Sequence, residues 1–271
     1  MLNIAAQLAA CVAPESGLRA LAARHEMRRE AVMGTEFAHV VYRSRPAAGA
    51  VDRARETRRA LHVYLEGDGR PWLRRHRTAA DPTPREPLML RLMALDPGPA
   101  LYLGRPCYHG HHRDRGCEAA LWTEARYSRR VVDSMRAALL RLAPADRPLV
   151  LLGHSGGGTL AVLIARELSS VRAVLTLGGN LDVADWVRRH GYTPLADSLD
   201  PARLPALRSE LRQLHVVGAD DDNIDPAAVA RFAARQPAAR FLKVPGQGHD
   251  CCWQALWPSL LETLDRLPDE G

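Results

Sequence analysis

Short apolar or alternating runs recur along the chain, separated by polar segments spotted with glycine and proline. Glu36 to Tyr42 reads as a first strand, and Leu61-His62-Val63-Tyr64-Leu65 alternates with a period of two. Ala100 to Leu103, Leu149 to Leu152, Val171 to Leu177, Leu214 to Val217 and Arg240 to Val244 read as further strands. Helical patterns fill the spaces between them. An arginine-rich helix N-capped by Ser16 runs through Val32 and ends at Gly34. A second starts at Thr83-Pro84, a threonine cap with proline at the first helical position, and runs to Leu95. Others cover Trp122 to Leu142 and Thr159 to Leu168, and two more end at Ala234 and Leu267. Leu181 to Arg212 carries prolines, charges and one or two short helices, so it reads as a small cap inserted between strands.

Strands alternating with helices predict an α/β fold: a mostly parallel central sheet with helices on both faces. The division expected is an N-terminal segment over 1–35 and a domain over 36–271, with the cap at about 181–212. A chain of 271 residues with 46% hydrophobic content buries one sizeable core. The net charge of +6 does not make it a nucleic-acid binder. Its positive residues are arginines scattered among acids, Lys243 being the sole lysine, without a basic run or interleaved aromatics. No apolar stretch approaches the length of a membrane span.

The five cysteines bear on compartment. Leu8-Ala9-Ala10-Cys11 fits a bacterial lipobox, which makes Cys11 a candidate lipidation site and predicts a periplasmic or membrane-anchored lipoprotein. Met1 to Gln7 lacks a basic n-region, so a cytoplasmic enzyme is the alternative. Cys107, Cys117, Cys251 and Cys252 remain as an even set. Cys107 and Cys117 are expected to pair with each other or to tie their loop to the one carrying His249. The vicinal pair is expected not to close on itself. The histidines between Cys107 and Cys117 match no common zinc spacing, and no metal is assigned.

The chemistry centres on Gly153-His154-Ser155-Gly156-Gly157, set between an apolar strand and a packed helix. A serine between glycines in that context is a nucleophile elbow, because the turn leaves no room for side chains at Gly153 and Gly157. Ser155 is the candidate nucleophile. Glu66-Gly67-Asp68-Gly69 follows an earlier strand, and the backbone N–H groups of Asp68 and Gly156 are the candidate oxyanion donors. His249, after the last strand, is the candidate base. Its acid partner is best matched by Asp221 in Gly218-Ala219-Asp220-Asp221-Asp222-Asn223-Ile224, with Asp220 and Asp182 competing. Asp222 and Asp225 read as turn or helix-cap residues. Trp72 and Trp186 are candidate pocket walls.

The order Ser, Asp, His, with alternating strands and helices, resembles the α/β-hydrolase fold over about 36–267. More narrowly, L-H-V-Y-L-E-G-D-G-R-P-W, A-L-W-T-E-A-R-Y-S, G-G-N-L-D and G-H-D-C-C-W resemble bacterial α/β-hydrolase proteins often described as lipoproteins. The expectation is a serine hydrolase that cleaves a carboxylic ester or related acyl bond of a small molecule and needs no cofactor. A peptidase or amidase with the same triad, and a non-catalytic scaffold or binding lipoprotein, are the alternatives.

Overall fold

A computed structural model describes residues 14–45, 59–74 and 77–268. Cys11 and the lipobox lie outside them. Helix α1 (Pro14–Arg24) is followed by β1 (Arg28–Met33) and β2 (Ala38–Arg43), then β3 (Leu61–Leu65) and a small hairpin of β4 (Trp72–Arg74) and β5 (Arg77–Thr78). Next come α2 (Leu88–Met93), β6 (Ala100–Leu103), α3 (Arg129–Leu142), β7 (Leu149–His154), α4 (Gly156–Glu167) and β8 (Val171–Leu177). The chain ends with α5 (Val183–His190), β9 (Arg212–Gly218), α6 (Pro226–Ala233), β10 (Ala239–Val244) and α7 (Trp257–Asp265).

Among the described residues the main sheet has eight strands in the order β1-β2-β6-β3-β7-β8-β9-β10. β2 runs antiparallel to β1 and β6, and the others are parallel to their neighbours. Alternate residues of the central strands feed two separate cores. Leu61, Val63, Leu149 and Leu151 pack with α3 and α4 on one face. Tyr64, Val150 and Leu152 pack with α1, α2 and α7 on the other.

The register places the functional loops. Leu61 pairs with Leu149 and Leu65 with Gly153, so β3 and β7 end level with each other. The loop after Leu65 and the turn after His154 therefore leave the sheet side by side. Val244 pairs with Gly218, which brings the turns after β9 and β10 to the same edge. Because the strands are parallel, these turns meet at their carboxyl ends, where ligands bind in open α/β sheets.

Three elements depart from the pattern-based expectation. The arginine-rich helix stops at Arg24 instead of Val32, and 28–33 form an edge strand paired with 38–43 across Gly34. Glu26 turns the chain with φ of 51°. Strand pairing overrides helical preference there, and the strand's charged, largely exposed side chains hide its alternation. The helix expected from Thr83 begins at Leu88 instead. The Thr83 hydroxyl accepts the His109 N–H at 2.6 Å, and the buried Glu66 carboxyl group accepts the Met89 N–H at 3.1 Å, so Glu66 supplies the cap from another element. The helix expected from Trp122 begins at Arg129, with Ser128 as its N-cap; Ala119–Trp122 forms a separate 3₁₀ turn.

Candidate active site

The chain passes from β7 into α4 through one residue, Ser155, held at φ 51° and ψ −122°. A non-glycine residue at positive φ is strained, and the surroundings must enforce it. The Ser155 N–H donates to the Leu177 carbonyl at 3.0 Å, and its own carbonyl accepts from Gly158 and Asn180. A Cβ at Gly153 would strike the Gly157 carbonyl, and one at Gly157 would strike the Leu65 carbonyl. Both glycines are thus required by close backbone approach, as the motif predicts. The serine stands half-buried on the floor of a cleft.

His249 enters the same cleft from the loop after β10. Its Nδ1 lies 2.9 Å from Asp221 Oδ2, and the Asp221 side chain is fully buried. The other Asp221 oxygen accepts the N–H groups of Asn223 (3.0 Å) and Ile224 (2.7 Å). Asp221 is therefore the carboxylate on the histidine. Asp220 is exposed, and Asp182 caps α5 by accepting the Asp185 N–H at 3.0 Å. Asp225 caps α6 and pairs with Arg189. The His249 carbonyl accepts from His154 Nε2 at 3.1 Å and from the indole of fully buried Trp253 at 3.2 Å, which pins the loop. The His154 ring lies 4.7 Å from the His249 ring, tilted by 44°. Burial, then the neighbouring His249 charge, pushes the His154 pKa down to about 3, so it stays neutral beside the base.

Asp68 is held by contacts that its place in the glycine-rich loop does not reveal. Its carboxylate is ion-paired with Arg105 and with Arg126 (2.8 Å) and accepts the Tyr127 hydroxyl at 2.7 Å. Its carbonyl accepts the Tyr108 hydroxyl at 2.9 Å. Burial opposes ionisation, but the two guanidinium charges and these hydrogen bonds hold the carboxyl well below the usual carboxylate range. A Cβ at Gly156 would overlap this carboxylate, so Gly156 and Asp68 are in direct contact. Among the described residues neither the Gly156 nor the Asp68 N–H has a hydrogen-bond acceptor. A Cβ on Gly67 would stand 3.3 Å from Ser155 Cβ.

The cleft encloses about 1580 Å³ and is walled by Trp72 on the β4 side and by Trp186 and Tyr192 on the cap side. Cys107 and Cys117 form a disulfide that closes the loop carrying Tyr108. The Cys251 and Cys252 sulfurs also lie within bonding distance of each other, against expectation, with the two Cα atoms 3.1 Å apart. His154, His249 and Asp250 offer ligand atoms within 4.8 Å of one another. Both histidine Nε2 atoms already have protein partners, however: the His249 carbonyl for His154 and the Asn223 amide for His249.

The sheet order, the strained serine at the strand-to-helix junction and the histidine loop after the last strand define an α/β-hydrolase fold. No family model matches the chain, and no curated protein matches it. Solved structures do. An esterase from Pyrococcus furiosus aligns at a TM-score of 0.64 and 10% identity, over 92% of this chain and 93% of that one. A candidate lipase from Acinetobacter baumannii aligns at 0.61 and 11%, over 94% and 97%. A puromycin hydrolase aligns at 0.59 and 18%, over 90% of this chain and 40% of that one. At identities this low the likeness shows the shared fold alone.

Proposed function

We propose that the protein is a serine hydrolase that cleaves a carboxylic ester or related acyl bond through Ser155, His249 and Asp221. The observation that carries this reading is the conjunction of a strained, cleft-facing serine with a histidine already held by a buried carboxylate. With Asp221 ionised and accepting, His249 Nδ1 keeps its proton and Nε2 is the basic nitrogen. Nε2 takes the Ser155 proton as Oγ bonds to the substrate carbonyl carbon. The carbonyl oxygen gains the negative charge and is met by the N–H groups of Gly156 and Asp68, each worth about 3 kcal/mol in comparable sites. Collapse of the adduct expels the alcohol, which takes the proton from His249. Water, deprotonated by the same nitrogen, then releases the acid and restores Ser155.

The test is covalent labelling with a fluorophosphonate, located by mass spectrometry, alongside turnover of a panel of esters and peptides. Ser155 should carry the label. Ser155→Ala should lose both label and turnover with a nearly unchanged thermal midpoint. An unlabelled wild-type protein would point to a non-catalytic binding role, and turnover of peptides but not esters would move the reading to an amidase.

A further inference from the structure

Both nitrogens of His249 are occupied. Nδ1 faces Asp221, and Nε2 lies 3.0 Å from Asn223 Nδ2. The identity of that amide atom follows from its other neighbour. Trp186 Nε1, which can only donate, lies 3.1 Å from Asn223 Oδ1, so the opposite end of the amide is the NH₂ group. Asn223 therefore donates to the single lone pair that a general base must use. The backbone of the same residue is tied to the cap as well, because His190 Nε2 donates to the Asn223 carbonyl at 2.8 Å. Trp186 and His190 both belong to α5, and Trp186 packs against Tyr192 with ring centroids 5.0 Å apart. Asn223, Trp186, His190 and Tyr192 line the cleft.

We infer that Asn223 is a substrate-responsive positioning residue of the hydrolytic site proposed above, and that Trp186 sets it. The Trp186 indole orients the amide so that Nδ2 covers His249 Nε2. The Ser155 hydroxyl cannot donate to that nitrogen at the same time, because a neutral imidazole has one acceptor site. A substrate group that reaches the cap side contacts Trp186, breaks the indole–amide bond and lets Nδ2 turn from the base to the substrate. Substrates with a group large enough to reach Trp186 are then preferred over short acyl esters. The selection acts on availability of the base and not only on binding. The inference rests on the serine hydrolase reading, and the experiment separates the two.

The measurement is the second-order rate constant for labelling of Ser155 by diethyl fluorophosphate, too small to span the cleft, in wild type, Asn223→Ala and Trp186→Phe. Both variants should label about tenfold faster, the equivalent of one competing hydrogen bond of about 1.4 kcal/mol. For an acetyl ester the gain should appear in kcat with little change in KM. A fluorophosphonate carrying a bulky aryl group should distinguish the three proteins by less than twofold. If Ser155 is labelled but neither variant reacts faster with the small probe, Asn223 merely supports the ring and the inference fails. Should Asn223→Ala not fold, Trp186→Phe decides, since it keeps a packed ring and removes the donor. If Ser155 is not labelled in any of the three, the hydrolase reading itself is overturned.

Discussion

Replacing Asp68 with Asn tests whether the loop proposed to meet the oxyanion is anchored by charge. The substitution keeps the side chain's shape and one acceptor oxygen but removes the negative charge facing Arg105 and Arg126, whose side chains are only 2% and 5% exposed. Arg105 also donates to the Arg126 carbonyl at 2.7 Å and Arg126 to the Thr123 carbonyl at 2.6 Å, so neither guanidinium can swing out to water without breaking further bonds. Removing one partner of a buried ion pair leaves an uncompensated charge and costs about 3–5 kcal/mol. At about 2–4 °C per kcal/mol for a chain of this class, the thermal midpoint should fall by about 10 °C. Guanidinium chloride unfolding followed by circular dichroism measures the loss. A triple variant, Asp68→Leu with Arg105→Met and Arg126→Leu, should recover a large part of it, because the charges leave together. The pH dependence has a fixed sign. A carboxyl held below its ordinary value of 3.8 contributes its stability above that pH and loses it as pH falls further. A loss under 1 kcal/mol in Asp68→Asn, the range of exposed ion pairs, would refute the anchoring argument.

Three further outcomes are expected. Asp221→Asn should lower turnover on the order of 10⁴-fold by favouring the wrong tautomer of His249, and Asp182→Asn, which changes only a helix cap, should leave it within a few-fold; the reverse result in ester assays would unseat Asp221. Glu66 is fully buried and its pKa is raised by that burial to about 8, so from about pH 4.5 to 8 the folded protein keeps a proton that the unfolded chain has lost. Stability through this group therefore falls as pH rises across that window, so the calorimetric midpoint of wild type should drop relative to that of Glu66→Gln, whose side chain stays neutral, from pH 5 to pH 8; a difference that does not change with pH would contradict it. We propose an oxidising compartment on the strength of the Cys107–Cys117 bond, and non-reducing mass spectrometry of the native protein should find that pair oxidised; free thiols there would end the proposal.

What could be read from the sequence is what is enforced by near neighbours. The elbow is such a case: Gly153, Ser155 and Gly157 are specified by a turn that occupies five residues, and the clashes demanding glycine come from backbone that any strand-turn-helix would place there. Asp221 was legible for a similar reason, because the turn after β9 folds its own Asn223 and Ile224 N–H groups onto the carboxylate. The interior strands announce themselves through apolar or alternating runs. β1 does not, since Arg28, Arg29 and Glu30 on an exposed edge carry no alternation to detect. The partners of Asp68 lie 37 to 59 residues away in sequence, beside and on the disulfide-closed loop and at the approach to α3. No spacing rule links them. Asn223 shows the sharper limit. Its backbone role in the Asp221 turn is local, whereas its side-chain role needs Trp186 from the cap on one side and His249 from the last loop on the other. A residue whose chemistry is set by two elements that meet only after folding leaves no local signature. That is why a motif can identify the reacting groups of such a site while the contacts governing their availability emerge only from the assembled fold.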